Sequence, residues 1–301
     1  MTAKIHVGIA LPGSKDELSL SSKLLIDCFS QHKCNVTKLK LRNIDIIASK
    51  DKINISSTGA ALEPFDVFIN RHNVLDRREH DFAVARLIED TSKVVLNPLS
   101  KSFFTHNKFH ANSLLQNFGI PIPKIYKPGL NYNSDDIIET IGLPLILKAN
   151  TGNQGKGVVY IDNKLSLISI IDCLINLNED FFLQEFVLEA AADCPRAVLI
   201  GGELIAAYGR SSKKDDFRAK LKDGKFGGFM KISEKDQEVF KKIYKLTELD
   251  ILGIDFCVTD HGIKIIEVNA YPGLGNIYKA SGLNLAENFY QHAINRLQIK
   301  T

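Results

Sequence analysis

Three oxygen-bearing side chains in one stretch, LGIDFCVTDHGIKIIEVNAYPGLG over residues 252–275, have the types and spacing to hold a hard cation. Asp255 lies in a first apolar run, and Glu267 and Asn269 lie in a second. The runs are rich in Ile, Val and Phe and are separated by a polar turn at Thr259–Gly262, so they read as a β-hairpin. Residues two apart in a strand point the same way, which places Glu267 and Asn269 on one face. A three-residue turn at Asp260–Gly262 puts Asp255 directly opposite Glu267. Two carboxylates and an amide oxygen on one face suit Mg²⁺ held together with substrate phosphates. The plainer reading is a solvated strand face. Against it, these acids interrupt runs that otherwise look buried, which costs free energy unless a partner compensates.

A second constellation lies upstream. Lys148 stands near the end of the apolar segment Pro144–Ala149, immediately before the glycine-rich loop Thr151–Gly157, TGNQGKG. Glycines between strands let backbone N–H groups turn toward a phosphate. Alone the loop is a weak signal and reads about as well as a hairpin turn, since it matches neither GxxxxGK[ST] nor a helix-opening GxGxxG. Lys148 shifts the balance, because an ammonium on an apolar strand needs an anion such as a nucleotide phosphate.

The elements that must position these groups follow from periodicity. Strands are expected at Ile5–Ala10, Asn35–Leu41, Phe65–Asn70 and Val94–Leu96, with helices starting near Asp16 and spanning Glu79–Asp90. That alternation predicts a small parallel sheet with helices against it, ending at Asn97-Pro98. Beyond it the pattern predicts a helix over Ser100–Phe118, a short helix at Asp135–Ile141 and a strand at Val158–Ile161. Further on it predicts a helix at Leu165–Leu177, a strand at Phe181–Val187 and a hairpin of Arg196–Ile200 with Leu204–Tyr208. Helices at Ser233–Leu249 and Leu283–Arg296 flank the carboxylate hairpin. The stretch Ser49–Glu63 has no clear pattern.

The chain's 301 residues allow two or three cores. A net charge of +3 argues neither for nor against nucleic acid, and no basic stripe is interleaved with aromatics, so no nucleic-acid partner is expected. Lysines cluster only between Arg210 and Lys225. Five cysteines, odd in number and with no CxxC, favour reduced thiols and a cytoplasmic protein. The opening apolar run reads as a strand rather than a signal peptide, and no segment approaches the ~18–20 apolar residues of a membrane span.

Several of these signals coincide in order along the chain. LILKANTGNQGKGVV, LQEFV, DFRAKL and GIDF…IIEVNAYPG together resemble the ATP-grasp superfamily, and within it the RimK-type ligases that join an amino acid such as L-glutamate to a carboxylate. The resemblance covers most of the chain and is strongest from about Asn97 to Arg296. It implies a mixed α/β and α+β protein: a pre-ATP-grasp α/β domain over residues 1–97, then an ATP-grasp domain over 98–301. The latter would divide into a central subdomain with the glycine-rich loop, about 98–184, and a C-terminal subdomain with the metal site, about 185–301.

Position by position, the resemblance implies that Lys108 and Lys148 contact ATP phosphates and help hold the adenine end. Gly155 and Gly157 belong to the phosphate loop. Gln184, Glu185 and Phe186 fall at the nucleotide hinge, where the backbone of the last two reads the adenine edge. Arg218 and Lys220 match positions near the transferred phosphate, and Asp255, Glu267 and Asn269 match ligands of Mg²⁺ (or Mn²⁺), two ions in all. Arg71, Arg196 and Tyr271 fall on the substrate side.

There are departures from the family pattern. The family's Asp two residues before Arg196 is Cys194 here, leaving Asp193 as the carboxylate for the ribose hydroxyls. Asn107 and Lys220 replace common Asp and Asn residues, Lys156 adds charge to the loop, and Tyr271 replaces a small residue beside the acceptor pocket.

The implied reaction is ATP-dependent amide formation through an acyl phosphate, with Arg218 and Arg210 as bidentate holders of the phosphate oxygens. For Arg210, Lys213 and Lys214 a solvated loop is an equal reading, and for Arg71 a surface salt bridge is nearly so. His106 and His110 read better as a helix face than as metal ligands. The rival functions are a small-molecule kinase with the same ATP grip and a non-catalytic ATP-binding regulator. The partners expected are a small-molecule or peptide carboxylate and an amino acid, and a homo-oligomer is compatible with the family.

Overall fold

The structure is a computed structural model and describes residues 4–12, 18–49, 52–57, 59–71, 79–150, 157–210 and 226–300. The chain begins with β1 (His6–Ala10), α1 (Leu20–Gln31) and β2 (Asn35–Leu39). The first helix starts later than the residues near Asp16, which lie outside the described residues. Its N-cap is Ser19, whose hydroxyl accepts the Ser22 N–H. Part of the unpatterned stretch Ser49–Glu63, together with the residues just before it, forms a three-stranded antiparallel sheet of β3 (Ile44–Ser49), β4 (Lys52–Ser57) and β5 (Ala60–Ala61). Its exposed strand faces, Ile46, Ile47 and Ile53 among them, blur the alternation that marks a half-buried strand.

The chain then returns through β6 (Val67–Asn70), α2 (Glu79–Thr91) and β7 (Val94–Leu96), and β1, β2, β6 and β7 form a parallel sheet in the order β2-β1-β6-β7. Asn97 does not act as a simple linker. Its buried side-chain amide donates to the Ile251 and Ala270 carbonyls, each at 2.7 Å, and accepts the Ile251 N–H at 2.8 Å.

The single helix expected over Ser100–Phe118 is broken into α3 (Leu99–Ser102), a 3₁₀ turn at Phe103–Thr105, and α4 (Lys108–Asn117). The break has a local cause: Asn107 is extended and its side chain caps α4 by accepting the His110 N–H. Lys108 therefore sits in the first turn of a helix instead of mid-helix.

Next come β8 (Ile125–Tyr126), α5 (Ser134–Ile141), β9 (Leu145–Ala149), β10 (Val158–Ile161), α6 (Lys164–Asn176) and β11 (Phe181–Glu185). Their strands form an antiparallel sheet ordered β10-β9-β11-β8. One face, with Leu145, Leu147, Phe181 and Leu183, packs on α5 and α6. The opposite face carries Ile146, Lys148, Phe182 and Gln184, since Phe182 pairs with Lys148 and Gln184 with Ile146.

After α7 (Leu188–Ala192), β12 (Arg196–Ile200) and β13 (Glu203–Arg210) make the expected hairpin, with Gly201 and Gly202 at φ 61° and 86°. Two consecutive positive φ values are what a two-residue type I′ turn requires. β14 (Phe226–Phe229), α8 (Glu234–Thr247), β15 (Ile251–Thr259) and β16 (Gly262–Asn269) follow, and the antiparallel order is β14-β13-β12-β15-β16. The chain closes with α9 (Leu274–Ser281), absent from the sequence reading, and α10 (Ala286–Lys300).

The parallel sheet and the five-stranded sheet share one core: Val7, Ile9, Phe29 and Val67 belong to the same buried cluster as Val198, Tyr208, Ile277 and Phe289. The β8–β11 sheet has a separate one. Among the described residues no helix is long and apolar enough to cross a membrane.

Candidate active site

The hairpin β15–β16 reaches the expected pairing by a different route. Thr259 pairs with Gly262, so the turn has two residues, Asp260 and His261, not three. A regular ladder from that turn would set Asp255 against Ile266 and send Glu267 to the core side. The ladder instead shifts between Asp255 and Phe256, where Ile266 is the extra residue of a β-bulge, and Asp255 pairs with Glu267. The burial pattern records the change of parity: Ile263 and Ile265 lie in the core before the bulge, and Val268 and Ala270 after it. Glu267 and Asn269 thus emerge on the face of Asp255.

Asp255 is the most heavily engaged of the three. Arg196 grips it with two parallel bonds, Nε to Oδ1 at 2.6 Å and Nη2 to Oδ2 at 2.8 Å, and Arg210 reaches Oδ1 at 2.9 Å. Burial by itself would raise the Asp255 carboxyl, but the two guanidinium groups outweigh it and hold the group at about 2. Arg210 is not on a solvated loop. It ends β13, is 7% exposed, and also donates from Nε to the Cys194 carbonyl. Asp193, read as a ribose ligand, accepts the Arg210 N–H with Oδ1 at 2.9 Å. The buried Cys194 thiol, pushed up to about 12 by burial, lies against Arg210.

Glu267 faces a pocket between α4, the β8–β11 sheet and β16, lined among others by Lys108, Asn112, Lys148, Phe182 and Ile266. Lys108 approaches Glu267 at 3.7 Å. Lys148 has no hydrogen-bond or ion-pair partner among the described residues. Burial lowers its ammonium to about 8 against the pull of Glu267, with Lys108 lowering it further. Two cations side by side, one with no ion-pair partner among the described residues, could hold an anion. Asn269 accepts the Tyr271 N–H with Oδ1 at 2.7 Å, which fixes its amide.

On the same face of β11, Gln184 is buried and its Nε2 has no partner among the described residues. The Glu185 carboxylate accepts the Lys124 N–H at 2.9 Å and the Lys264 ammonium at 3.2 Å, which ties this strand end to β16. Phe186 stands edge-on to Tyr160 at 5.1 Å. Gly157 has φ 74°, and a Cβ there would lie 2.7 Å from that of Ala149, so the turn geometry alone requires glycine. Gly155, Lys156, Lys213, Lys214, Arg218 and Lys220 lie outside the described residues.

Beyond the hairpin, Arg71 donates to the Pro272 carbonyl at 2.7 Å and lies over the Phe289 ring. Burial lowers its guanidinium to about 10, and no acid among the described residues pairs with it. Tyr271 meets the Asn70 amide at 3.5 Å, so both lie at one junction between β6 and the segment after β16.

The sequence reading missed Ile266, Phe182 and Asn112. The first two are apolar residues in strands, indistinguishable from core by pattern. Asn112 is a buried polar residue whose Oδ1 lacks a partner, detectable in the sequence only as an amide on the apolar side of a helix.

With this geometry in hand, comparisons with known proteins converge. A RimK-like ATP-grasp domain model matches residues 105–293. A probable alpha-L-glutamate ligase of Legionella pneumophila (strain Corby) is 30% identical over 250 residues, covering 83% of this chain and 82% of the relative. Among solved structures, the ATP-grasp ligase PsnB complexed with a minimal precursor superposes with a TM-score of 0.74 at 16% identity, covering 98% of this chain and 99% of that one. The D-alanine–D-alanine ligase of Bacillus anthracis complexed with ATP superposes with a TM-score of 0.69 at 14% identity, covering 98% of both chains.

Proposed function

The chain belongs to the RimK-like ATP-grasp family, and from that premise we propose that it forms an amide bond between a carboxylate and an amino acid such as L-glutamate, at the expense of ATP. The observation that carries this reading is that Glu267, on the same strand face as Asp255 and Asn269, shares one pocket with Lys108 and with Lys148, which has no ion-pair partner among the described residues. The division into a pre-ATP-grasp domain over 1–97 and an ATP-grasp domain over 98–301 belongs to the same proposal.

The donor set fits Mg²⁺. All three side chains offer oxygen, and Asp255 is ionised at neutral pH. Its carboxylate has about four lone-pair sites, and the arginines use three, which leaves one toward a cation. Bound there, two ions would neutralise charge on the triphosphate and polarise the phosphoryl group in transfer.

The protein's own groups position the reactants. Lys108 and Lys148 hold triphosphate oxygens, and ligand binding gives Lys148 the counter-charge that its burial lacks. Gln184 offers its orphan N–H to the base, whose edge is read at Glu185 and Phe186. In the first step a substrate carboxylate oxygen attacks the γ-phosphorus and ADP departs. In the second an amine nitrogen attacks the acyl carbon of the acyl phosphate, and phosphate leaves. Arg71, partly buried and without an acid partner among the described residues, receives a substrate carboxylate, and Tyr271 narrows the space beside it. Arg196 and Arg210 act through Asp255, which they orient and keep ionised.

The test is ADP release with Mg²⁺-ATP against a panel of carboxylates, with and without L-glutamate, the products being followed by mass spectrometry. Turnover only when acid and amine are both present, with a condensed product mass, supports the reading. ADP release with a phosphorylated product and no amide refutes it.

A further inference from the structure

A cluster remote from the pocket has the composition of a metal site of a different kind. Cys28 and His32, four residues apart at the end of α1, meet Glu287 in the first turn of α10. The Cys28 thiol donates to Glu287 Oε2 at 3.5 Å, and His32 Nε2 lies 2.9 Å from the same oxygen. The three ligand atoms all lie within 4.8 Å of one another. Zn–ligand bonds of ~2.0–2.3 Å place neighbouring donors about 3–4 Å apart in a tetrahedral site, so little movement separates this arrangement from coordination.

Two of the three donors are also held from behind. Gln291 Nε2 donates to Glu287 Oε1 at 2.9 Å, which leaves Oε2 for the cluster. The His32 ring stacks on Tyr290 at 3.7 Å and 6°, which fixes the direction of Nε2. Cys28 is buried, while His32 and Glu287 are open to solvent, so a cation can enter and keep a water as its fourth ligand. A surface ion pair accounts for His32 and Glu287. It does not account for a buried thiol aimed at the same oxygen.

We propose that Cys28, His32 and Glu287 form a zinc site that clamps the first helix to the last. Thiolate and imidazole select Zn²⁺ over Mg²⁺. A thiolate, a carboxylate and a neutral imidazole around Zn²⁺ give a neutral centre. On binding, the Cys28 S–H bond breaks, its proton passes to solvent and a Zn–S bond forms. Binding therefore tightens as pH rises.

The test uses Co²⁺ as a spectroscopic probe of the full chain. Wild type is expected to develop a thiolate-to-cobalt charge-transfer band, Cys34→Ser to keep that band, and Cys28→Ser to lose it. Gln291→Leu is expected to weaken Co²⁺ binding by about tenfold, because it releases the Glu287 orientation. Zn²⁺ should raise the melting temperature of wild type and leave that of Cys28→Ser unchanged. Co²⁺ entering the oxygen site at Asp255 produces no sulfur band, so the two sites are scored separately. The absence of a thiolate band in wild type, or its survival in Cys28→Ser, overturns the proposal. If Cys28→Ser does not fold, His32→Gln supplies the same comparison.

Discussion

Asp255 stands directly across from Glu267 although the turn between their strands is one residue too short for that register. The bulge at Ile266 supplies the missing residue and presents its side chain to the pocket beside Glu267. The two acids share a face but not a role in stability: Asp255 is gripped by two arginines, and Glu267 is half-exposed with one distant lysine.

Substituting them should separate those roles. Asp255→Ala removes the carboxylate that Arg196 and Arg210 share, a loss of roughly 3–5 kcal/mol in urea unfolding. Glu267→Gln should leave the unfolding midpoint near wild type while cutting Mg²⁺-dependent turnover by about 100-fold or more. Equal destabilisation by both would refute the distinction. The Asp255 contribution should persist at neutral pH and disappear only as pH falls from the ordinary carboxylate value of 3.8 through about 2.

Lys148 predicts a pH dependence of opposite origin. Its folded value of about 8 lies below the ordinary 10.5, so the unfolded chain holds more protons between those limits. The ligand-free protein should gain stability from this group as pH rises through that window. ATP binding, which needs the ammonium, should weaken above about pH 8 in calorimetric titrations. Lys148→Arg should flatten that dependence, and Lys148→Met should cost about 1.5–3 kcal/mol of affinity, roughly ten- to hundred-fold.

The pocket wall can be tested apart from its charges. Ile266→Ala removes apolar surface from beside Glu267 without touching a metal donor. Nucleotide Kd should rise by about tenfold, for about 1.5 kcal/mol of lost burial, while the Mg²⁺ requirement is unchanged. A changed metal requirement would show that the bulge residue sets the geometry of the acids.

Tyr271→Ser probes the substrate side. Enlarging the space next to Arg71 should raise KM for a small carboxylate and admit bulkier ones, with ATP Kd unaltered. A parallel change in both constants would place Tyr271 in the nucleotide site instead.

Much of this site was legible from residue order. The hairpin pattern alone set Asp255 opposite Glu267 and placed Asn269 beside it, and Val94–Leu96 and Val158–Ile161 are strands with the expected bounds. Other features depend on distant partners. Nothing near Arg196 or Arg210 announces that both converge on Asp255, 59 and 45 positions away in the chain. The helix over Ser100–Phe118 looked continuous because apolar periodicity runs through Asn107, whose capping role shows only in its backbone conformation. The sheet at residues 44–61 escaped notice because three of its isoleucines, Ile46, Ile47 and Ile53, face solvent.

Asn97 gives the molecule its mechanical character. Its three hydrogen bonds fasten the end of β7 to both strands of the carboxylate hairpin, and the shared core beneath them makes the parallel sheet and the metal-facing sheet one anvil. The β8–β11 sheet, which carries Lys148, rests on a core of its own. The pocket that holds Lys148 and Glu267 thus lies on the seam between a sheet packed on its own core and a hairpin fixed to the rest of the molecule.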